Sequence, residues 1–235
     1  MKGKLYLIPS PLGDNDPAEV IPGPVLEQIG RLDRFVVEEL RTARRYLSRA
    51  GLKGHIEELE FTVLNEHSSQ AEVDAMEALF DDGKDVGLIT EAGLPAVADP
   101  GSSLVALCHR KGIEVVPFTG PSSLMLALMA SGLNGQSFTF RGYLPAKSDE
   151  RKNAIRSVEK QSSQNRQTQI FIETPYRNDA LMADILQICS DSTRICIAAN
   201  ITMPDAFIRT RSVAEWKKEG ITIGKRPCVF LMLAK

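Results

Sequence analysis

Short apolar and β-branched runs recur through the first half of the chain, each followed by a stretch with helical spacing. Residues 5–9, 34–38, 85–90 and 115–119 read as strands. The run at 85–90 is almost continuously apolar, as a strand buried on both faces requires. Residues 42–50 and 70–80 carry amphipathic helical spacing and close at Gly51 and at Asp81-Asp82-Gly83. A further helix over 102–110 closes at Lys111-Gly112, a basic residue followed by glycine. Strands alternating with helices in this way predict a mostly parallel α/β layer.

The pattern changes in the second half. After a helix over 123–131, residues 137–143 alternate and are aromatic. The polar stretch 145–167 is dense in Lys, Arg, Ser and Gln, and its basic run Lys147, Arg151, Lys152, Arg156 predicts an exposed helix that is a candidate for touching RNA. Residues 170–173, 194–200, 207–210 and 228–233 read as strands, which points to a second domain with a mixed sheet. The expected fold is α/β in two domains, 1–118 and 119–235, with no Ser/Gly-rich linker between them. A length of 235 residues accommodates this, at roughly 150 residues per domain.

Composition narrows the class. The 28 Lys and Arg against 30 Asp and Glu give a net charge of −2, so no global pull toward nucleic acid or acidic lipid follows. No apolar run approaches the roughly 18 residues of a membrane span. The basic-then-apolar start is stopped by Pro9, too early for a signal peptide. A soluble, cytoplasmic protein is expected. Cys108, Cys189, Cys196 and Cys228 form no C-x-x-C pair, and His55, His67 and His109 cluster with none of them. Reduced, buried thiols and no metal are the expectation.

Candidate chemistry lies in three glycine-proline loops, each following a strand. They are Pro9-Ser10-Pro11-Leu12-Gly13-Asp14, the segment 90–101 from Thr90 to Gly101, and Thr119-Gly120-Pro121-Ser122-Ser123. Loops at the carboxyl ends of strands are where open α/β sheets bind ligands. Glycine admits a close backbone approach and proline fixes the loop around it. Ser122 or Ser123 can cap the next helix. No G-x-G-x-x-G, G-x-x-x-x-G-K-[ST] or G-x-S-x-G signature accompanies these loops. Backbone loops without a phosphate motif point to a small zwitterion or a nucleoside.

Taken in order, these segments resemble the tetrapyrrole methylase superfamily, and within it the small-subunit ribosomal-RNA 2′-O-ribose methyltransferases. The resemblance is carried by Ile8-Pro9-Ser10-Pro11-Leu12-Gly13-Asp14, by Val37-Glu38-Glu39-Leu40-Arg41-Thr42-Ala43-Arg44, and by Asn65-Glu66-His67-Ser68. It continues through 91–101, 119–122 and Glu173-Thr174-Pro175-Tyr176-Arg177. Leu94 and Leu40 stand where that family has Thr, and Asn65 and Tyr176 where it has His.

The resemblance implies a methyltransferase that takes S-adenosylmethionine in a cleft between two α/β domains, mostly through main-chain contacts. It implies cofactor residues Pro11, Leu12, Gly13, Glu91, Gly93, Leu94, Pro95, Val97, Ser122, Ser123, Glu173 and Thr174. Arg41, Arg44 and Arg177 become candidates for holding the substrate, with Arg45 beside them. A ribose hydroxyl is a poor nucleophile that a base would help, and Glu38, Glu39, Glu66 and His67 are the candidates. Each has an ordinary alternative, such as Glu38 or Glu39 pairing with Arg41 or Arg44. Expected partners are ribosomal RNA or the small ribosomal subunit, and a second copy of the chain in a homodimer. A corrinoid or tetrapyrrole acceptor, or a ribosome-binding protein without turnover, are the rival readings.

Overall fold

The structure, a computed structural model, describes residues 2–235, and the chain divides after Ser122 into two compact units. The first holds β1 (Leu5–Ile8), β2 (Arg34–Val37), β3 (Glu60–Val63), β4 (Val86–Ile89) and β5 (Val115–Pro117). They form one sheet in the order β3-β2-β4-β1-β5, parallel at every pairing. Every residue of β2 and β4 is buried, which is why residues 35–37 and 86–89 run apolar instead of alternating, while the buried Arg34 is paired with Glu60 and Asp82. Gly87 leaves room for its neighbours: a Cβ there would lie 2.5 Å from Cδ1 of Ile8 and 2.8 Å from Cδ1 of Phe35.

Helices cover both faces of this sheet. On one, α1 (Pro17–Val20), α2 (Gly23–Ile29) and α3 (Leu40–Leu47) set Ile29, Tyr46 and Leu47 against Ile8, Phe35 and Ile89. On the other, α4 (Gln70–Ala75) and α5 (Ser102–Arg110) set Val73, Leu104 and Leu107 against Leu5, Val36 and Leu88. Two helix boundaries depart from the sequence expectation. α3 starts at Leu40 because the Glu39 carboxylate accepts the N–H groups of Arg41 (2.9 Å) and Thr42 (2.6 Å). It runs into a π-turn over Ser48–Leu52, in which Gly51 takes φ 111°. Across 70–80, α4 stops at Ala75 and Met76–Phe80 winds as a 3-10 turn. β3, an edge strand with no fully buried residue, has no sequence signal of its own.

The second unit holds α6 (Ser123–Ser131), β6 (Phe138–Tyr143), α7 (Ser148–Asn165), β7 (Thr168–Glu173), α8 (Asn178–Ile188), β8 (Arg194–Ala199), β9 (Phe207–Ser212), α9 (Val213–Glu219) and β10 (Cys228–Leu233). Its sheet has the order β6-β7-β10-β8-β9. β6 and β7 are parallel and the other pairs antiparallel, the mixed sheet expected from the sequence. Phe171 and Phe230 stack at 5.8 Å between ring centres, in a core that also takes Ile155, Ile185 and Trp216. The register aligns Glu173 with Cys228, Cys228 with Ala199, and Ala199 with Phe207. Tyr143 stands opposite Ile172. The ends of β6, β7 and β8 and the starts of β9 and β10 therefore share one end of the sheet.

On α7 the structure departs from the expected exposed basic face. Arg151 is buried, with Ile155, Val158 and Ser162 on the same stripe of the helix. Its Nε and Nη2 donate to Oδ2 of Asp184 on α8 at 2.7 and 2.6 Å. Lys147 and Arg156 remain exposed. All four cysteines are free and buried, and burial lifts the thiols of Cys108 to about 11 and of Cys189 and Cys228 to about 12.

Replacing Asp184 by Ala strands the Arg151 guanidinium, leaving it only the Ala146 carbonyl at 3.0 Å. Urea unfolding is expected to show a loss of about 3 kcal/mol. The double replacement Arg151→Met/Asp184→Leu is expected to recover most of that loss. A double variant no more stable than the single one would mean that the stranded charge is not the cause.

Candidate functional site

The carboxyl end of the parallel sheet is where the glycine-proline loops converge. The loop after β1 and the loop after β4 are stitched by a two-bond bridge: Ser10 N–H donates to the Gly93 carbonyl at 2.8 Å, and Gly93 N–H to the Ser10 carbonyl at 3.1 Å. Gly93 takes φ +78° to make this bridge, a conformation open to glycine at no steric cost. The Ser10 hydroxyl donates to the Thr90 carbonyl at 2.8 Å, and the Tyr46 hydroxyl reaches from α3 to the Pro9 carbonyl at 2.8 Å. From the loop after β5, Gly120 packs so closely that a Cβ would lie 2.1 Å from Cβ of Pro9. Three loops and one helix are thus locked together by a main-chain bridge, two hydroxyls and one close Pro9–Gly120 contact.

Within 90–101 the organising group is Asp99. Both of its carboxylate oxygens accept the Ala96 N–H at 2.9 Å, and Oδ1 also accepts the Gly101 N–H at 2.7 Å. Ala96 and Ala98 are both held at φ 63°, outside the usual range for a residue with a Cβ. The sequence-designated residues sit along this loop in different states: Gly93 and Pro95 buried, Leu94 half-buried, Glu91 and Val97 exposed.

A pocket of about 60 Å³ opens between the β1 loop, α3 and the β4 loop. It brings together Pro11, Gly13 and Glu91 with Thr42, Arg45 and Tyr46. Its size suits one fragment of a ligand, since whole small-molecule sites enclose roughly 300 Å³ or more. Leu12 lies beside it and packs against Gly93, whose added Cβ would sit 3.3 Å from Cδ2 of Leu12. Arg49, just beyond the end of the same helix, pairs with Asp14 at 2.7 Å. Arg41 and Arg45 are exposed, and the half-buried Arg44 lays its guanidinium 5.5 Å from the Phe61 ring centre.

The four candidate bases separate clearly. Glu38 is half-buried at the end of β2, and the Thr90 hydroxyl donates to it at 3.4 Å. Burial raises its pKa above the ordinary carboxylate value, and the charges of Glu91 and Asp99 add to the rise. Glu39 points the other way: as the cap of α3 it accepts two backbone N–H groups and the Thr42 hydroxyl, and its pKa is lowered. Glu66 and His67 lie in the exposed turn after β3, 3.6 Å from one another.

Ser123 and the Glu173-Thr174 pair belong to the second unit, at the start of α6 and the end of β7. Oε1 of the buried Glu173 accepts from Arg177 (Nη2 at 2.6 Å, Nε at 2.9 Å) and from the Thr174 N–H at 2.7 Å. Arg177 is therefore engaged by a carboxylate of its own chain. Oε2 of Glu173 is buried and has no hydrogen-bond partner among the described residues. Sequence reasoning placed Ser10, Thr90 and Asp99 inside the candidate loops without singling them out, and missed Tyr46 on the helix beside them. Only Asp99 carried a signal, an acidic residue two positions before a glycine in a proline-rich loop.

The chain is similar to known proteins. Residues 4–216 match the model of the tetrapyrrole (corrin/porphyrin) methylases. The chain belongs to that methylase family. Relatives called ribosomal RNA small subunit methyltransferase I include the Escherichia coli O157:H7 protein, 30% identical over 93% of this chain and 73% of its own. The Thermotoga maritima protein of the same name is 32% identical over 85% and 84% of the two chains. Among solved methylase folds, the methyltransferase CobJ superposes with a TM-score of 0.62 at 15% identity, covering 99% of this chain and 94% of that one. A uroporphyrin-III-C-methyltransferase from Thermus thermophilus gives 0.56 at 18%, covering 98% and 92%. These likenesses establish the two-unit α/β methylase fold.

A buried carboxylate with a raised pKa binds its proton more tightly in the native state than in the unfolded chain. Between the two pKa values the native state holds that proton and the unfolded chain does not, so Glu38 lowers stability as pH rises through its folded value. Glu38→Gln is expected to melt higher than the wild type at pH 8, with the difference vanishing near pH 4. Scanning fluorimetry at both pH values checks this. Equal melting temperatures at pH 8 would show that the carboxylate is not under strain.

Proposed function

We propose that this methylase uses S-adenosylmethionine to methylate a ribose 2′-hydroxyl of small-subunit ribosomal RNA. The observation that carries the reading is Glu38: a half-buried carboxylate with a raised pKa, beside loops that present main chain to a ligand. The names of the relatives supply the substrate class. The donor brings an activated methyl group on a sulfonium. The residues proposed to hold it are Pro11, Leu12, Gly13, Glu91, Gly93, Leu94, Pro95, Val97 and Ser122 in the first unit, with Ser123, Glu173 and Thr174 in the second. Two features fit such a group. The glycine-tight loops leave backbone in place of side chains at the sheet end, and the orphaned Oε2 of Glu173 is an acceptor for a hydroxyl or amino donor.

Catalysis then asks the chain for position and for a proton acceptor. Glu38 Oε2 takes the proton of the acceptor hydroxyl, and Thr90 keeps the carboxylate oriented. Glu39 is occupied by its cap, and Glu66 and His67 are held only by solvent-exposed contacts, so none of the three supplies a desolvated base. Arg41, Arg44 and Arg45 on α3 form a cationic face suited to phosphates. The reading includes a cytoplasmic homodimer, supported by the exposed Met125 and Met129 one turn apart on α6. Light scattering is expected at about twice the 25.8 kDa chain mass, and a value at the chain mass would refute the dimer.

The same cations would also attract the carboxylates of a tetrapyrrole, so the decisive assay offers both acceptors. Purified protein with labelled S-adenosylmethionine is expected to methylate small-subunit RNA and to leave uroporphyrinogen unlabelled. Glu38→Gln is expected to lower kcat by about a hundredfold or more with little change in donor affinity. Label entering only the tetrapyrrole would overturn the RNA assignment, and full turnover by Glu38→Gln would remove Glu38 from the chemistry.

A further inference from the structure

The shared strand end of the second unit carries aromatic and arginine side chains beyond the donor residues Glu173 and Thr174 proposed above. Tyr143 closes β6, and Tyr176 stands in the turn Pro175–Arg177 that follows β7; they are 57% and 71% exposed. The Arg177 guanidinium lies 5.5 Å from the Tyr176 ring centre and is held there by the buried Glu173. At the start of β9, Phe207 is flanked by two further guanidiniums, Arg209 at 5.3 Å and Arg226 at 5.6 Å from its ring centre. Arg226 is fixed in turn by donating from Nε to the Ile223 carbonyl at 2.7 Å.

These two groups are mechanically joined. Asn178, the residue after Arg177, donates from Nδ2 to the carbonyls of Gly224 (3.0 Å) and Arg226 (2.8 Å). Asp179 accepts the Ile223 N–H at 2.7 Å. The turn that carries Tyr176 and the loop that carries Arg226 are thereby one piece, on the sheet end where Glu173, Cys228, Ala199 and Phe207 stand in register. The acidic groups nearby are spoken for: Glu219 faces Arg209 at 3.5 Å and Arg211 at 3.1 Å, and Asp205 accepts from Asn200 at 2.7 Å.

An exposed tyrosine beside a held guanidinium, with a half-buried phenylalanine flanked by two more, suits a ligand that alternates flat apolar groups with negative charges. An unpaired nucleic-acid strand has that pattern, whereas a duplex hides its bases. A protein partner would call for a continuous apolar patch, and here cations interrupt the rings. We propose that this end of the second unit docks an unpaired RNA strand, with a base stacked on Tyr176 and phosphates on Arg209 and Arg226. The proposal rests on the ribosomal-RNA reading above and names the surface that selects a single-stranded acceptor region.

Fluorescence anisotropy with a labelled single-stranded RNA and a hairpin of the same composition tests it. The wild type is expected to prefer the single strand. Tyr176→Ala should weaken single-strand binding roughly fivefold to a hundredfold, while Tyr176→Phe, which keeps the ring, should bind as the wild type does. Arg209→Ala/Arg226→Ala should lower the slope of log affinity against log salt by about 0.7 for each phosphate that is no longer neutralised. Titration with S-adenosylhomocysteine should be unchanged in every variant, which shows that the fold and the donor site survive. If the wild type binds and methylates RNA but these variants bind equally well, the surface is wrong and the proposed function stands. If the wild type binds no RNA, both fall. Binding to small-subunit proteins with none to RNA would reassign the surface to a protein partner.

Discussion

Between Pro9 and Gly120 there is no space for one additional carbon atom, and the organisation of the loops at the carboxyl end of the first unit's sheet follows from that closeness. A parallel sheet ends in loops that have no hydrogen-bonding obligation to one another, so their relative positions must be imposed from outside the ladder. Here the Ser10–Gly93 bridge imposes one of them and the Gly120–Pro9 contact another. The Tyr46 hydroxyl adds a third tie from α3. Each uses main chain or a residue whose side chain is absent or rigid. The outcome is a set of loops whose relative positions are fixed largely by main chain rather than by side-chain identity. That explains how Leu94 can stand where a threonine is usual in the resembling family without disturbing the scaffold.

What the sequence made legible follows the physics of burial. β2 and β4, buried on both faces, announce themselves as apolar runs, and α5 appears with its boundaries because Lys111 and Gly112 mark its end. β3 has no such signal, since an edge strand with exposed termini needs no apolar run. Arg151 escapes the sequence pattern for a related reason. Charge alone suggests exposure, but its partner Asp184 lies 33 residues away, and nothing local reveals that the two will neutralise each other in the core. The glycine-proline loops were visible as loops. The bonds that shape them, from Ser10 to Gly93 and from Asp99 to Ala96, are made to main chain, and of these residues only Asp99 carries a local sequence signal.

The second unit solves a different problem with the same economy. Its mixed sheet brings five strand termini to one end, and the helix that leaves β7 begins with Asn178 and Asp179, two residues whose side chains satisfy backbone groups of the 223–226 segment. Capping of this kind ordinarily closes a helix on itself. Here the donor and acceptor groups reach across to a distant loop, so that the aromatic and arginine side chains on both segments are held at fixed separation. Rigid presentation lowers the entropy lost when a flexible ligand is bound, and an unpaired strand has much to lose.

Glu38 and Glu39 show why adjacency in sequence says little about chemistry. One peptide bond separates them, yet their carboxylates are driven in opposite directions. Glu39 turns outward to the first turn of α3, where two N–H groups and a hydroxyl stabilise its charge and depress its pKa. Glu38 turns back over the sheet end, where burial and the charges of Glu91 and Asp99 disfavour ionisation. A base that is too comfortable as an anion has little affinity for a proton, and one that is fully neutral cannot accept it. The Thr90 hydroxyl and the Glu91 N–H temper the rise at Glu38, which leaves it ionisable but more basic than a surface glutamate. The strand-to-helix corner thus divides two identical side chains into a charged helix cap and a half-buried carboxylate whose pKa is raised, because it turns one toward free N–H groups and the other toward burial and like charge.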